Sequence, residues 1–554
     1  MEQVDKINGF KVLMCIHGNS DVAWDGVGNP PGTNNLPSWW YAHNKKTFVS
    51  WHRPYVVLTP WGDAAKERRQ PYWDWATKQP YINNYGVPEI FTKERIDILD
   101  FADNNPPTME NIANPLAKFA NPTGVAMGDA SMGGFALPGD LWSKAIATSR
   151  WGIRARDPAA TWADGINNWE KASEAIQGGI GVNSIEDQVY RLFSTNLSSW
   201  ESFASTLSQT PPTPADFLSL EGIHNAMHVR GLTGGRVSPT NDLVGHIADP
   251  SVAAFDPIFW FHHSNVDHLA ATFQTLHPDL DPFHRDTTGI VWTADATRDW
   301  KARLRYDYDD LAAPGPSGAF AAFRTLAAGT TSRSPQTGGH SGLSDLRRRI
   351  NGKYGTVRRE VRASPDIRGR ENDYMINIIY DRGASYSIHF FLGTPARRMG
   401  PLEHSDTYIG SMYTFSSILE GSRNGVQCHN CLEQKSKGVL STAQIPLTRA
   451  ILKLAKDPEK SDLRKMEPDE VDTYLETNLT WRATIAIEDH ENPSRTTNVD
   501  MSCLPKTKIF AMKGRVQYPD RDSELSTYSD YTTMWRATSG KQGGAVRPDE
   551  QPTA

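Results

Sequence analysis

Phe255-Asp256-Pro257-Ile258-Phe259-Trp260-Phe261-His262-His263-Ser264-Asn265-Val266-Asp267 is the stretch on which the reading of this chain turns. Val252 to Phe261 is apolar and aromatic, so it is expected to be buried, and it ends on two histidines. Asp267 follows His263 by four residues. On a helix the two share a face, and the carboxylate can fix a ligating imidazole or a neighbouring cation. Upstream stands His224-Asn225-Ala226-Met227-His228. Histidines so spaced on a helix form a chelating pair, open to a metal once a third ligand arrives from elsewhere. Such a pair alone is more often a surface or packed feature. The buried second segment makes it a candidate metal site.

The pattern Asp-Pro-x-Phe-Trp-x-x-His-x-x-x-Asp resembles the second copper signature of the tyrosinase, catechol oxidase and haemocyanin superfamily. In that signature the second of the adjacent histidines is the ligand, which selects His263 over His262. The resemblance returns in His43-Asn44-Lys45-Lys46-Thr47-Phe48-Val49-Ser50-Trp51-His52-Arg53-Pro54-Tyr55, similar to the family's first copper signature. It implies that His43 and His52 are ligands, with His17 as a more distant third. Pro71-Tyr72-Trp73-Asp74-Trp75 matches the run that follows that helix in the family. The fold implied is a mainly α catalytic domain with a four-helix-bundle dicopper core. One copper ion is expected on His17, His43 and His52, the other on His224, His228 and His263. In the resembling enzymes a Glu and an Asn at the offsets of Glu221 and Asn225 hold a water that deprotonates an incoming phenol. The plainer alternative is that Glu221 decorates its helix and Asn225 bonds a backbone carbonyl. Phe259 is read as a pocket wall, Arg53 as a supporting residue and Phe255 as core.

At 554 residues the chain is long enough for several domains with sizeable cores. Its 38% hydrophobic and 10% aromatic content fits a globular protein. No apolar run approaches the roughly 18 residues of a membrane span. The net charge of −6, with both signs dispersed, gives no reason to expect nucleic acid. Met1 to Phe10 is too polar for a signal peptide, and four cysteines make no disulfide scaffold. An intracellular setting is therefore expected.

Helices are expected near Leu141–Arg150, Trp169–Gln177, Ser184–Leu197 and Ala215–His228. Tyr306-Asp307-Tyr308 resembles the Tyr-x-Tyr motif that closes the catalytic domain of fungal tyrosinases, so that domain is expected to span 1–308. Residues 309–371, rich in Pro, Gly, Ser, Thr and Arg, read as a protease-sensitive linker with one helix at Leu343–Tyr354. From Asp373 the pattern alternates, in Tyr374–Tyr380, Tyr386–Gly393, Leu479–Ile487 and Lys508–Phe510. This predicts a C-terminal β-sandwich over 372–517, which resembles the shielding domain of fungal tyrosinases. A disordered tail is expected over 518–554.

Cys428-His429-Asn430-Cys431 lies in this second domain. Soft thiolates suit Cu(I), and the family implication is a docking point at Cys428 and Cys431 for a copper chaperone. The family also plugs its copper pocket with a side chain from this domain. The loop Glu403–Tyr413 is the best-placed candidate, with Tyr408 mimicking a phenol.

The resemblance implies a tyrosinase-type copper oxidase that hydroxylates monophenols and oxidises o-diphenols to o-quinones with O2. It would be latent until the C-terminal domain is displaced. The alternatives are a catechol oxidase without hydroxylation and an inactive or oxygen-binding relative. Three features bear on the first copper side. Tyr41 stands where fungal members carry a cysteine crosslinked to the second histidine, so no thioether forms. Pro60-Trp61-Gly62 is expected to end the His52 helix early, and His17 has little chain beneath it. The first copper side is therefore expected to be less well supported than the second.

Overall fold

A computed structural model describes His17 and residues 42–57, 70–100, 106–120, 146–150, 165, 167–177, 185–207, 212–231, 245–248, 250, 252–280, 297, 300–304, 306–311, 341–381, 386–394, 402, 405–416, 434–489, 492–547 and 549. The helical part contains α1 (Phe48–Val57), α2 (Trp169–Gln177), α3 (Ile185–Ser194), α4 (Leu220–Ala226) and α5 (Ile258–Leu276). A small antiparallel hairpin, β1 (Arg95–Asp100) and β2 (Thr108–Ala113), projects from it.

The helix α5 is the centre of this part. It is almost wholly buried, polar residues included: His262, His263, Ser264, Asn265, Asp267, His268 and Thr272 lie inside with its apolar side chains, so each needs a partner within the protein. Its first turn is fixed by Asp256, which accepts a bond from Ile258 N at 3.1 Å. Arg150 Nε reaches both Asp256 oxygens, at 2.8 and 2.7 Å. The expected helix over Leu141–Arg150 is corrected in its described half. Residues 146–150 are extended, with Ala147 bridged to Ala120, because Arg150 must reach Asp256.

The C-terminal part is a pair of antiparallel four-stranded sheets. One has the order β10-β9-β3-β6, with β3 (Asn372–Asp381), β6 (Leu440–Pro446), β9 (Lys508–Gln517) and β10 (Thr527–Thr533). The other has the order β5-β4-β7-β8, with β4 (Tyr386–Leu392), β5 (Tyr408–Tyr413), β7 (Leu479–Asp489) and β8 (Asn492–Val499). Alternate residues of β3 (Tyr374, Ile376, Ile378, Tyr380) and of β4 (Tyr386, Ile388, Phe390, Leu392) meet in one core. That is the period-2 signature of facing sheets. No helix among the described residues is long and apolar enough to cross a membrane.

Two expectations need correction. Residues 519–547 are not an unordered tail. β10 is an edge strand of the first sheet, and Ala545 N donates to Ile509 O at 2.8 Å. Its polarity misleads because an edge strand with a solvated face needs few apolar residues. The segment read as linker is also ordered over 341–371, where its one expected helix, Leu343–Tyr354, is present but packed into the core. In α6 (Ser341–Tyr354), Leu346, Ile350 and Tyr354 join the helical core, and in α7 (Thr356–Arg362) Val357 and Val361 join the sandwich core. Basic residues on the outer face hide this apolar stripe.

The two parts are joined by a buried ion pair. Arg191 on α3 makes two parallel bonds to Asp373 on β3, at 2.8 and 2.6 Å, and a third to Asp187 at 3.2 Å. Burial alone lowers the guanidinium's pKa, but the two carboxylates outweigh it and raise it well above its usual value. Removing one partner of such a pair strands a buried charge, at a cost of about 3–5 kcal/mol. Arg191→Met is expected to lower the unfolding midpoint in a thermal melt. Arg191→Met with Asp373→Asn is expected to recover part of the loss.

Candidate metal centre

His52 lies on α1, His224 on α4, His228 on a π-helical turn (Met227–Gly231) that continues α4, and His262 and His263 on α5. Ser219 starts α4 as its N-cap, accepting from Gly222 N at 3.2 Å. A π-turn inserts a residue into the helical register and recurs at functional sites. His43 sits on the turn before α1. His17, His43, His52, His224, His228, His262 and His263 are all buried.

Four of these rings are oriented through one nitrogen. His52 Nδ1 donates to Phe48 O at 2.7 Å, His228 Nδ1 to Ile247 O at 2.7 Å, His224 Nδ1 to Asn225 Oδ1 at 3.0 Å and His17 Nδ1 to Pro250 O at 3.3 Å. With the proton on Nδ1, each ring aims an Nε2 lone pair inward, the arrangement a metal-ligating histidine requires. His263 Nε2 lies 3.3 Å from Nε2 of both His224 and His228. The ligand nitrogens of His17, His52 and His263 lie within 4.8 Å of one another, and so do those of His224, His228, His262 and His263. His43 joins by its ring, 5.0 Å from His17 and 4.9 Å from His52 between centroids.

All six expected ligands are thus brought together, and His263 stands between the two sets. His262 is an addition, with its ring 4.7 Å from His228 and 5.1 Å from His224. The adjacent-histidine pattern assigned the ligand role to its neighbour alone.

Electrostatics and partner counts both suit a metal. Burial pushes His17 and His262 down to about 3. Burial, with the neighbouring imidazoles, holds His52, His224, His228 and His263 well below the ordinary histidine value. The rings are therefore neutral and available as ligands. His52 Nε2, His263 Nδ1 and both His262 nitrogens are buried without a hydrogen-bond partner. Unpaired buried nitrogens are costly, and a cation that accepts imidazole nitrogen, as copper does in both its common states, fits them.

The residues around the rings sort themselves. Phe259 is fully buried with its ring 4.1 Å from His263 and 4.7 Å from His17, so it is a wall of the site. Phe255 packs on Phe119 in the core. The cation that Asp267 fixes is Arg53: the two form a buried pair, and Tyr308 donates to Asp267 at 2.7 Å, with Tyr306 also bonded. Arg53 also reaches Gln274 and Thr297 O, both at 2.9 Å, which locks α1 against α5.

Glu221 is already committed. Its carboxylate accepts from Asn44 N, from Ser205 Oγ at 3.0 Å, and from Thr206 N and Oγ1 at 2.9 and 3.2 Å. Asn225 orients His224, and its Nδ2 is buried without a partner. The paired grip on a water expected of these two therefore has Glu221 engaged elsewhere, on the turn that carries His43.

The expected plug, Tyr408, is corrected. It lies in β5, bonds Ser411 Oγ at 2.8 Å and packs with Phe391 and Leu402, away from the imidazoles. Phe415, just past the strand, lies on the site instead. Its ring stacks on His228 at 4.3 Å and stands 5.3 Å from His43 and 5.6 Å from His224. Tyr413, the last residue of β5, and Phe415, two residues on, both belong to the helical core. Glu403, Cys428 and Cys431 lie outside the described residues.

Comparison with known proteins agrees with this arrangement. Residues 7–276 match the common central domain of tyrosinase, and residues 373–503 match the tyrosinase C-terminal domain. The chain is 29% identical to a tyrosinase of Aspergillus fumigatus, over 95% of this chain and 90% of the relative. It is 23% identical to polyphenol oxidase 2 of Agaricus bisporus, over 87% of this chain and 84% of the relative. The crystal structure of an apo-protyrosinase from Aspergillus oryzae superposes with a TM-score of 0.65 at 22% identity, covering 96% of this chain and 88% of that one. With both family regions matched and the histidines of both signatures gathered at one site, the chain belongs to the tyrosinase family, a family of dicopper oxidoreductases.

Proposed function

We propose that this chain is a copper oxidase of phenols and o-diphenols, built on a four-helix-bundle dicopper core and latent while Phe415 covers the site. One observation carries the reading. Imidazoles from α1, α4 and the π-turn after it, α5, the turn at His43 and the position of His17 converge in a dry volume, with an aromatic ring from the C-terminal part stacked on His228. His17, His43 and His52 would hold one copper ion and His224, His228 and His263 the other. Bound there, the pair would supply the electron exchange with O2 that the side chains themselves cannot.

The chain's own residues do the rest. Phe259 and Phe415 exclude water. Asn225 keeps His224 in the tautomer that ligates through Nε2. The place held by Phe415 marks where a substrate ring would stack, against His228 and in line of sight of His43 and His224. In the overall reaction each o-diphenol gives up two electrons and two protons to become an o-quinone, and O2 is reduced to water.

A second reading, o-diphenol oxidation without hydroxylation, has one observation in its favour. Hydroxylation of a monophenol needs its proton removed, and Glu221 spends both carboxylate oxygens on Asn44, Ser205 and Thr206.

Two measurements test this. The purified chain is expected to bind two copper ions, falling to one in His52→Ala or His224→Ala, with loss of o-quinone formation in either variant. In the full chain carrying Phe415→Gly, o-quinone formation from a monophenol decides for hydroxylation, and turnover of o-diphenols alone decides for the second reading. Phe415→Gly in the full chain is expected to relieve latency. Burial of a Phe ring is worth about 1.5–3 kcal/mol, so apparent substrate affinity should rise roughly 10- to 100-fold. Unchanged turnover in Phe415→Gly would exclude Phe415 as the cover.

A further inference from the structure

His43 differs from the other rings in how its backbone is held. It lies on a turn, and the next residue, Asn44, has φ +56°, the left-handed region that non-glycine residues adopt only when their surroundings demand it. Both residues are buried. Asn44 N donates to Glu221 on α4, and Asn44 Oδ1 accepts from Thr206 Oγ1 at 2.7 Å.

Further bonds to this turn come from the C-terminal part. Ser441 Oγ on β6 donates to Asn44 Oδ1 at 2.8 Å, and Gln434 Nε2 donates to His43 O at 3.1 Å. Both donors are buried. The strand itself is docked beside them: Ser441 is bridged to Leu207, and Thr442 N donates to Thr206 O at 2.8 Å. On the His224–His228–His263 side the C-terminal part contributes the Phe415 ring, while the orienting hydrogen bonds come from elsewhere. The orienting partners there, Asn225 and Ile247, lie in the helical part.

We propose that the C-terminal domain is a structural component of the first copper side, with Gln434 and Ser441 as positioning residues that hold the His43–Asn44 turn in its ligating conformation. This rests on the dicopper reading above. The same domain that covers the site through Phe415 thus completes one half of it. The extra support stands where the sequence led us to expect too little.

The test uses the full chain and Cu(II), titrated in competition with a chelator. His224→Ala leaves the first copper side alone, and His52→Ala leaves the second. Loss of outer partners of a metal ligand typically weakens binding by about 10- to 100-fold. Gln434→Ala with Ser441→Ala is expected to weaken the remaining copper by that factor in the His224→Ala background and to leave it unchanged in the His52→Ala background. Ser441→Thr, which keeps the hydroxyl, should recover part of the affinity lost in Ser441→Ala. An equal loss in both backgrounds, or none in either, would overturn the proposal while leaving the dicopper reading standing. A parent chain that binds no copper would overturn both.

Discussion

Imidazoles that share one dry volume must all be uncharged, and the rest of the molecule answers to that requirement. His52, His224, His228 and His263 are each depressed far below the ordinary histidine range by burial and by one another. Protonating any of them would put a cation among rings that have no anion to offer. The carboxylates on the helices that carry the rings are engaged elsewhere: Asp267 with Arg53, and Glu221 with the Asn44 turn and residues 205–206. A site this free of counter-charge is poor at holding protons and suited to an ion that brings its own charge.

The same requirement explains the style of the framework. Arg53–Asp267, Arg150–Asp256 and Arg191–Asp373 are buried ion pairs at structural joints. One locks α1 to α5, one sets the start of α5, and one fastens α3 to β3. Desolvation cancels much of what such pairs gain, so their value lies in fixing geometry more than in adding stability. The first two bear on α1 and α5, helices whose shift by a fraction of a turn would scatter the ring nitrogens of His52, His262 and His263. The π-turn at His228 belongs to the same class of feature, a local departure from ideal geometry that aims one side chain.

Sequence patterning anticipated the parts of this design that repeat with a period. The His224/His228 spacing, the buried run before His263 and the alternation in β3 and β4 each write their structure locally, and His17 and His43 were reached through family resemblance. What the sequence hid depends on tertiary neighbours. Phe415 looks like any residue after a strand, and only the docking of β5 on the helices brings it to His228. Glu221 sits at the expected offset from His224, yet its oxygens face Asn44, a partner far away in sequence. The stripe Leu346, Ile350, Tyr354 is obscured by Arg347, Arg348 and Arg349 between its members. In β10, polar composition suits a solvated edge as well as it suits a coil.

The main-chain pairing of Ser441 and Thr442 with residues 206 and 207 bears on how the two parts come apart. Strands bonded through their backbones do not swing open like a hinged door. Here the bridge at Leu207 and the bond from Thr442 N must break before residues 441 and 442 can leave, so parting the two domains trades main-chain bonds for water rather than merely rotating about a joint.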